Sequence, residues 1–149
     1  MDKNDLSNII YNAFKWVSRP KAIVRGNSIE DSYVYDYFHN KKNTEIDDLF
    51  NEYKYDVSAI IHFLTSDAFI YYLPAFMSLL LYKYEHADVF FDAFIYKLIG
   101  KDGCWFSLLN KEQRNAVGLF LRFVLEKHRD EFFDDEVKRI EEAIIKFAK

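Results

Sequence analysis

Apolar residues recur at spacings of three and four along most of the chain, which is the period of an α-helix with one buried face. The first run predicts a helix from about Leu6 to Val17. It should end at Ser18-Arg19-Pro20, because a residue before proline is biased away from helix. Later runs predict helices after Thr44 (which can cap), around residues 57–64, from Ala68 to Glu85, from His86 to Gly100, after Asn110 and after Asp130.

An apolar stretch at residues 67–76, DAFIYYLPAF, carries a proline in the middle of a helical pattern. Thr65 can cap this helix, and Asp67 lies in its first turn, where negative charge is favourable. Pro74 has no N–H, so the carbonyl of Ile70 loses its partner and we expect a kink. The predicted helix, at about residues 66–85, is apolar on most sides and should lie at the centre of the fold.

Residues 20–43 have the weakest pattern. Gly26-Asn27-Ser28 signals a turn, and SYVYDYF at residues 32–38 is rich in residues that favour strands. Because no second strand is evident, we expect an ordered loop with a short helix or an extended piece. Asn110 and Gln113 have the spacing of a capping box. The whole pattern predicts an all-α fold, an irregular antiparallel bundle of about five to seven helices around the kinked helix, in a single domain of residues 1–149.

The composition bears on the compartment. The 149 residues include one cysteine, Cys104, so a disulfide framework and a zinc cluster of thiolates are excluded, and we expect a buried structural thiol. No apolar run opens the chain, so we expect no signal peptide, and residues 68–82 are shorter than the ~20 residues of a bilayer span. These features predict a cytoplasmic protein that does not enter a membrane.

The charge is unevenly placed along the chain. Its formal value is −4, yet residues 30–56 alone hold eight acidic and three basic side chains, a net charge of −5. An acidic middle does not favour nucleic acid, which attracts basic surfaces. It suits a basic protein partner, because opposite potentials accelerate encounter. The alternative is that these acids only solvate exposed faces.

No catalytic constellation is evident. The four histidines include no pair at the spacing of a helical metal site, and there is neither a glycine-rich phosphate loop nor a nucleophile elbow. Adjacent acids point about 100° apart on a helix and do not share a site. We therefore expect no enzyme activity, no cofactor and no metal site. A ligand pocket lined by Asp67, Tyr71 and Tyr72 is the alternative.

Acidic and tyrosine residues mix in the segment before the central helix, a composition that suits a protein interface because tyrosine supplies contact area at low entropic cost. Tyr37 is a further candidate anchor, and the alternative is a loop whose aromatics dock onto the bundle. A second hypothesis is a helical adaptor that self-associates through residues 32–38. The predicted partner-binding residues are Glu30, Asp31, Tyr33, Tyr35, Asp36, Glu45, Asp48 and Glu52.

Two phrases of the chain resemble a known family of small, helical, mostly bacterial proteins. The first is FLTSDAFIYYLPAFM at residues 63–77, and the second is LLNKEQRNAVGLFLRFVLE at residues 108–126. Members carry a phrase like L-T-x-x-A-F-x-Y-Y-L-P-A followed by L-T-x-x-Q-x-x-A-V-x-x-F-L, and here Asn110 replaces the second threonine. An early Ala13-Phe14 pair also fits. The resemblance implies the helical fold and supplies no catalytic residues, so its motif positions are structural: Thr65, Asp67, Tyr71, Tyr72, Pro74, Asn110 and Gln113.

Some proteins of that kind resemble immunity proteins of contact-dependent growth inhibition and polymorphic toxin systems. The resemblance therefore implies a cytoplasmic binding protein that neutralises a cognate toxin, for example a basic nuclease. An acidic patch would cover the toxin's active or RNA-binding surface, since it competes where the toxin must hold phosphate. We expect no nucleic-acid or membrane partner, and a monomer rather than a homodimer.

Overall fold

The computed structural model describes residues 1–100 and 105–149, and within them it confirms an all-α fold. The loop predicted at residues 101–103 and the buried thiol predicted at Cys104 lie outside the described residues. Short 3-10 turns occupy Tyr84–His86, Phe106–Leu108 and Arg129–Glu131. The α-helices are α1 (Lys3–Phe14), α2 (Ile29–Phe38), α3 (Leu49–Glu52), α4 (Val57–Phe63), α5 (Ser66–Tyr82), α6 (Val89–Ile99), α7 (Lys111–His128) and α8 (Asp134–Ala148).

The chain divides into two compact units. We call Met1–Lys15 together with Leu98–Lys149 the hairpin unit, and Trp16–Lys97 the central unit. Single-domain folding of residues 1–149 stays a prediction.

The hairpin unit contains α7 and α8, which pack on each other, and α1, which packs on α7. The predicted capping box opens α7: the Gln113 N–H donates to Asn110 Oδ1 at 2.8 Å, and the Asn110 N–H donates to Gln113 Oε1 at 2.9 Å. Gly118 on α7 faces α8, where an added Cβ would lie 3.2 Å from Phe147 Cβ. The absent side chain thus lets the two helices approach closely.

In the central unit, α5 is buried along nearly its whole length. Thr65 caps it as predicted: its hydroxyl oxygen accepts the Ala68 N–H at 3.0 Å, and its O–H group donates to the Ala22 carbonyl at 2.7 Å. Pro74 lies inside the helix; the kink there stays a prediction. The predicted end at Glu85 was wrong, because α5 stops at Tyr82.

The next helix also begins later than expected. His86 belongs to the 3-10 turn, and α6 starts at Val89. Asp88 has a positive φ of 48°, in the left-handed region, so the backbone cannot run as one helix from His86 into α6. The first helix likewise ends at Phe14 rather than Val17.

The largest correction concerns residues 20–48. Residues 29–38 form the regular helix α2, where the sequence indicated only a short helical or extended piece. No helix starts at Thr44, because neighbouring side chains fold that segment into turns. The Glu45 carboxylate accepts the Lys42 N–H at 2.7 Å, and Asn43 Nδ2 donates to the Tyr71 carbonyl at 3.0 Å.

Across residues 1–100 and 105–149 only an isolated antiparallel bridge, Val24 with Leu64, has β geometry. No helix in the described part of the chain has both the length and the apolar character needed to cross a membrane.

Candidate functional site

A capping box starts α2 and takes one predicted binding residue out of the surface. The Asp31 carboxylate accepts the Ser28 hydroxyl at 2.6 Å, the Ser28 N–H at 2.9 Å and the Gly26 N–H at 3.2 Å. These bonds, the Ser28 hydroxyl first, lower the pKa of Asp31. Asp31 is only 5% exposed. It therefore holds the helix start and offers no exposed carboxylate to a partner.

Four tyrosines of the central unit form a continuous line of ring contacts, which we call the tyrosine row: Tyr33, Tyr55, Tyr53 and Tyr37. The first two are stacked, with ring centroids 3.7 Å apart and an interplanar angle of 3°. The next two contacts are edge-to-face at 5.8 Å each. Tyr55 is the most exposed member, at 54%. The row brings α2 together with the segment between α3 and α4.

Carboxylates border the row, and we call Asp47, Asp48, Glu52 and Asp56 the acidic rim. Glu52 accepts the Tyr37 hydroxyl at 2.8 Å. Burial, then the hydrogen bond to Glu52, and then the charges of Glu52, Asp48 and Asp47 raise the pKa of Tyr37. Burial and then Asp56 raise the pKa of Tyr53 to about 12. The rim thus lies close enough to the phenols to act on their ionisation.

Two further carboxylates lie on α2 beside the row. Glu30 and Asp36 are each three positions from Tyr33, so all three share one side of the helix. Both acids are exposed. Within residues 1–100 and 105–149 neither carboxylate accepts a hydrogen bond or forms an ion pair. Their charges are thus free to meet a cation from outside.

The other predicted partner-binding residues lie partly in the acidic rim and partly outside it. Asp48 and Glu52 belong to the rim. Glu45 lies in the turn before α3, with its carboxylate on the Lys42 N–H. Tyr35 is 45% exposed and stacks on His39 at 4.7 Å, two positions away from Tyr33 and therefore on another side of α2.

Sequence reasoning missed Tyr53, Tyr55, Asp47 and Asp56. The signal was present, because NEYKYD at residues 51–56 has the same mixture of tyrosine and acid as EDSYVYDY at residues 30–37. Only the ring stacking shows that these two segments form one surface.

The motif tyrosines of α5 support this surface from inside. The Tyr72 hydroxyl lies 2.9 Å from the Phe38 carbonyl and 2.6 Å from the Lys41 carbonyl, so its one proton is shared between them. Its burial raises the pKa of Tyr72 to about 12. The Tyr71 hydroxyl accepts the Asn43 N–H at 3.3 Å. Tyr71 and Tyr72 therefore fix the chain that follows α2, and the ligand pocket lined by Asp67, Tyr71 and Tyr72 stays an untested alternative.

Net charge separates the two units. The hairpin unit holds twelve acidic and twelve basic side chains, whereas the central unit holds twelve acidic and eight basic ones, which accounts for the whole formal charge of −4. Among the described residues, no group of three His, Cys, Asp or Glu side chains could hold a metal ion. The tyrosine row and its bordering acids have the chemistry to bind a cationic surface.

Neither the curated proteins nor the solved structures contain a match to this chain. A family model does match, over residues 2–147, and covers nearly the whole sequence. The chain therefore belongs to the family of unknown function DUF6714.

Proposed function

We propose that this protein is an immunity protein, which binds and neutralises a cognate toxin of the basic nuclease kind. The observation that carries the proposal is the tyrosine row with its bordering acids on the unit that holds the net negative charge. Partly exposed tyrosines are enriched at the centres of protein interfaces. Carboxylates around them select a basic partner.

Charge explains how binding would neutralise such a toxin. A nuclease must hold phosphate with basic side chains, so its active or RNA-binding surface is positive. The acidic rim is complementary to that surface and blocks it without any chemistry of its own. We propose no catalysis and no cofactor, a monomeric protein, and action in the cytoplasm, where a nuclease toxin meets its substrate.

The proposal is tested with the product of the gene directly upstream. The two proteins are co-expressed, with an affinity tag on the upstream product, and cell growth is followed. We expect the 149-residue chain to restore growth and to co-purify with the tagged protein. If the upstream product is not toxic, or if growth is not restored, the immunity function is wrong.

Charge reversal tests the surface itself. Asp48→Lys with Glu52→Lys should slow association with the toxin, most strongly at low salt, because long-range attraction is screened by ions. Reversal of the exposed Glu141 and Glu142 on α8 makes the same charge change in the hairpin unit and is the matched control. Equal association rates for both double variants would remove the acidic rim from the interface.

Self-association is the competing outcome. Analytical ultracentrifugation of the chain alone should show a monomer. A stable homodimer that buries residues 32–38 would favour the adaptor hypothesis, because the tyrosine row would then be covered by a second copy.

A further inference from the structure

The four rings of the tyrosine row differ in their exposure and in the contacts that each already makes. Tyr37 has its hydroxyl on Glu52 and one ring face under Lys41, whose Nζ lies 4.2 Å from the ring centroid. Tyr53 is 7% exposed. Tyr55 is more than half exposed; Tyr33 stacks on one of its ring faces, and Tyr53 contacts it edge to face. Tyr55 is therefore the most exposed ring of the row, and we call the side that is turned away from Tyr33 its outer face.

The stacking of Tyr33 and Tyr55 makes that face attractive to a cation. Two parallel rings at 3.7 Å bring two negative π faces together, an arrangement that aromatic pairs otherwise avoid. A positive charge over the outer face offsets this repulsion through the ring quadrupole. The same surface already shows such a contact, since Lys41 sits over Tyr37.

The neighbouring charges decide which cation fits. Glu30 and Asp36 border Tyr33 with unpaired carboxylates in the described part of the chain. Lys54, which precedes Tyr55, already has a partner, because its Nζ donates to the Asn51 carbonyl at 2.7 Å. A guanidinium group can lie flat on a ring and still direct N–H groups to carboxylates at its edge, whereas an ammonium group cannot stack in this way.

We propose that the Tyr33–Tyr55 stack, bordered by Glu30 and Asp36, is a subsite that receives an arginine side chain of the protein partner. This deepens the proposed function and rests on it for the identity of the partner. The arginine side chain stacks on the outer face of Tyr55, and its N–H groups donate to the two carboxylates of α2.

The test uses a short blocked peptide of alternating arginine and glycine, titrated into the 149-residue chain and followed by two-dimensional amide NMR. The matched control is the same peptide with citrulline, which keeps the shape of arginine without its charge. We expect the arginine peptide to shift the amide signals around Tyr33 and Tyr55 and to bind at least about fivefold more tightly than the citrulline peptide. Equal affinities, or shifts confined to other residues, would overturn the subsite.

Variants locate the contact. Tyr55→Ala should weaken binding of the arginine peptide about fivefold, while Tyr55→Phe, which keeps the ring, should stay within about twofold. Glu30→Gln with Asp36→Asn should also weaken it, and in the described part of the chain these exposed carboxylates have no hydrogen bond or ion pair to lose. If Tyr55→Ala binds the peptide as the native chain does, the stack is not the subsite.

The same variants distinguish a failure of this subsite from a failure of the proposed function. If the arginine peptide binds at Tyr55 but growth is not protected from any upstream product, the immunity function fails and the subsite stands. If protection holds and Tyr55→Ala binds the toxin with native affinity, the function stands and the subsite fails.

Discussion

Tyr71 and Tyr72 lie on α5 with both side chains buried, whereas Tyr55 in the tyrosine row is 54% exposed. The buried pair acts through its hydroxyl groups, which bind main-chain atoms of Phe38, Lys41 and Asn43. Tyr55 presents a ring face. The same residue type thus maintains the fold in one region and offers a contact surface in the other. The changes below should affect the stability of the fold and the binding at the contact surface to different extents.

Truncation of Tyr72 should have the largest effect. Tyr72→Ala removes a fully buried ring and the hydroxyl that satisfies two carbonyls, so we expect the free energy of unfolding to fall by about 3–5 kcal/mol in urea denaturation. Tyr72→Phe keeps the ring and should cost about 1–3 kcal/mol, the penalty of leaving buried polar groups without a partner. A loss below 1 kcal/mol for Tyr72→Phe would show that water replaces the hydroxyl.

Alkaline pH should have the next largest effect on stability, through the ionisation of the buried tyrosines. Burial raises the pKa of Tyr53 and of Tyr72 to about 12, from an ordinary value of 10. Between these values the unfolded chain binds fewer protons than the folded chain. The stabilisation is therefore complete below pH 10 and is lost as the pH rises to about 12.

We expect a loss of about 1–2 kcal/mol for each of these tyrosines over that range, measured by urea denaturation at several pH values. Tyr72→Phe is the control, because it should remove its own share of the pH dependence. An unchanged slope in that variant would assign the alkaline loss to other groups.

Loss of the α2 cap should have an intermediate effect on both regions. Ser28→Ala removes the hydroxyl that accepts the Asp31 N–H at 3.2 Å, and we expect a loss of about 1 kcal/mol. Because α2 carries both Tyr33 and the Phe38 carbonyl, binding of the arginine peptide should weaken as well. Ser32→Ala, in the exposed part of the same helix, is the matched control and should stay within about 0.5 kcal/mol. If Ser28→Ala and Ser32→Ala lowered the free energy of unfolding equally, the cap hydrogen bond would not be what stabilises α2.

Truncation of Tyr55 should have the smallest effect on stability. Tyr55→Ala removes an exposed ring with one stacking and one edge-to-face contact, so we expect a loss of about 1 kcal/mol. Its effect on peptide and toxin binding should be far larger than that on unfolding. A loss as large as that of Tyr72→Ala would end the distinction between the two sets of tyrosines.

The α-helical class and two caps were predictable because they depend on local pattern. Thr65 accepts the Ala68 N–H, and Asn110 and Gln113 bind each other's N–H groups, as their spacing indicated. Helix α2 was harder to recognise because strand-favouring tyrosines alternate along it. Its buried positions, Asp31, Val34 and Phe38, do follow helical spacing, yet one of them is charged.

The candidate site was less predictable because its contacts are not local. Tyr33 and Tyr55 are far apart in sequence, and no periodicity reports that their rings stack. Thr44 has the composition of a cap, but the neighbouring Asn43 is held by Tyr71 of a different helix. Tertiary contacts of this kind override local preference.

The shared hydroxyl proton of Tyr72 also has an evolutionary consequence. The Tyr72 hydroxyl binds Phe38 and Lys41 through their main-chain carbonyl oxygens, which every residue type has. Exposed positions on and after α2 can therefore change their side chains while the main chain keeps its course. If the proposed function holds, substitutions at these positions would alter the contacts with the toxin while the main chain beneath them stays the same.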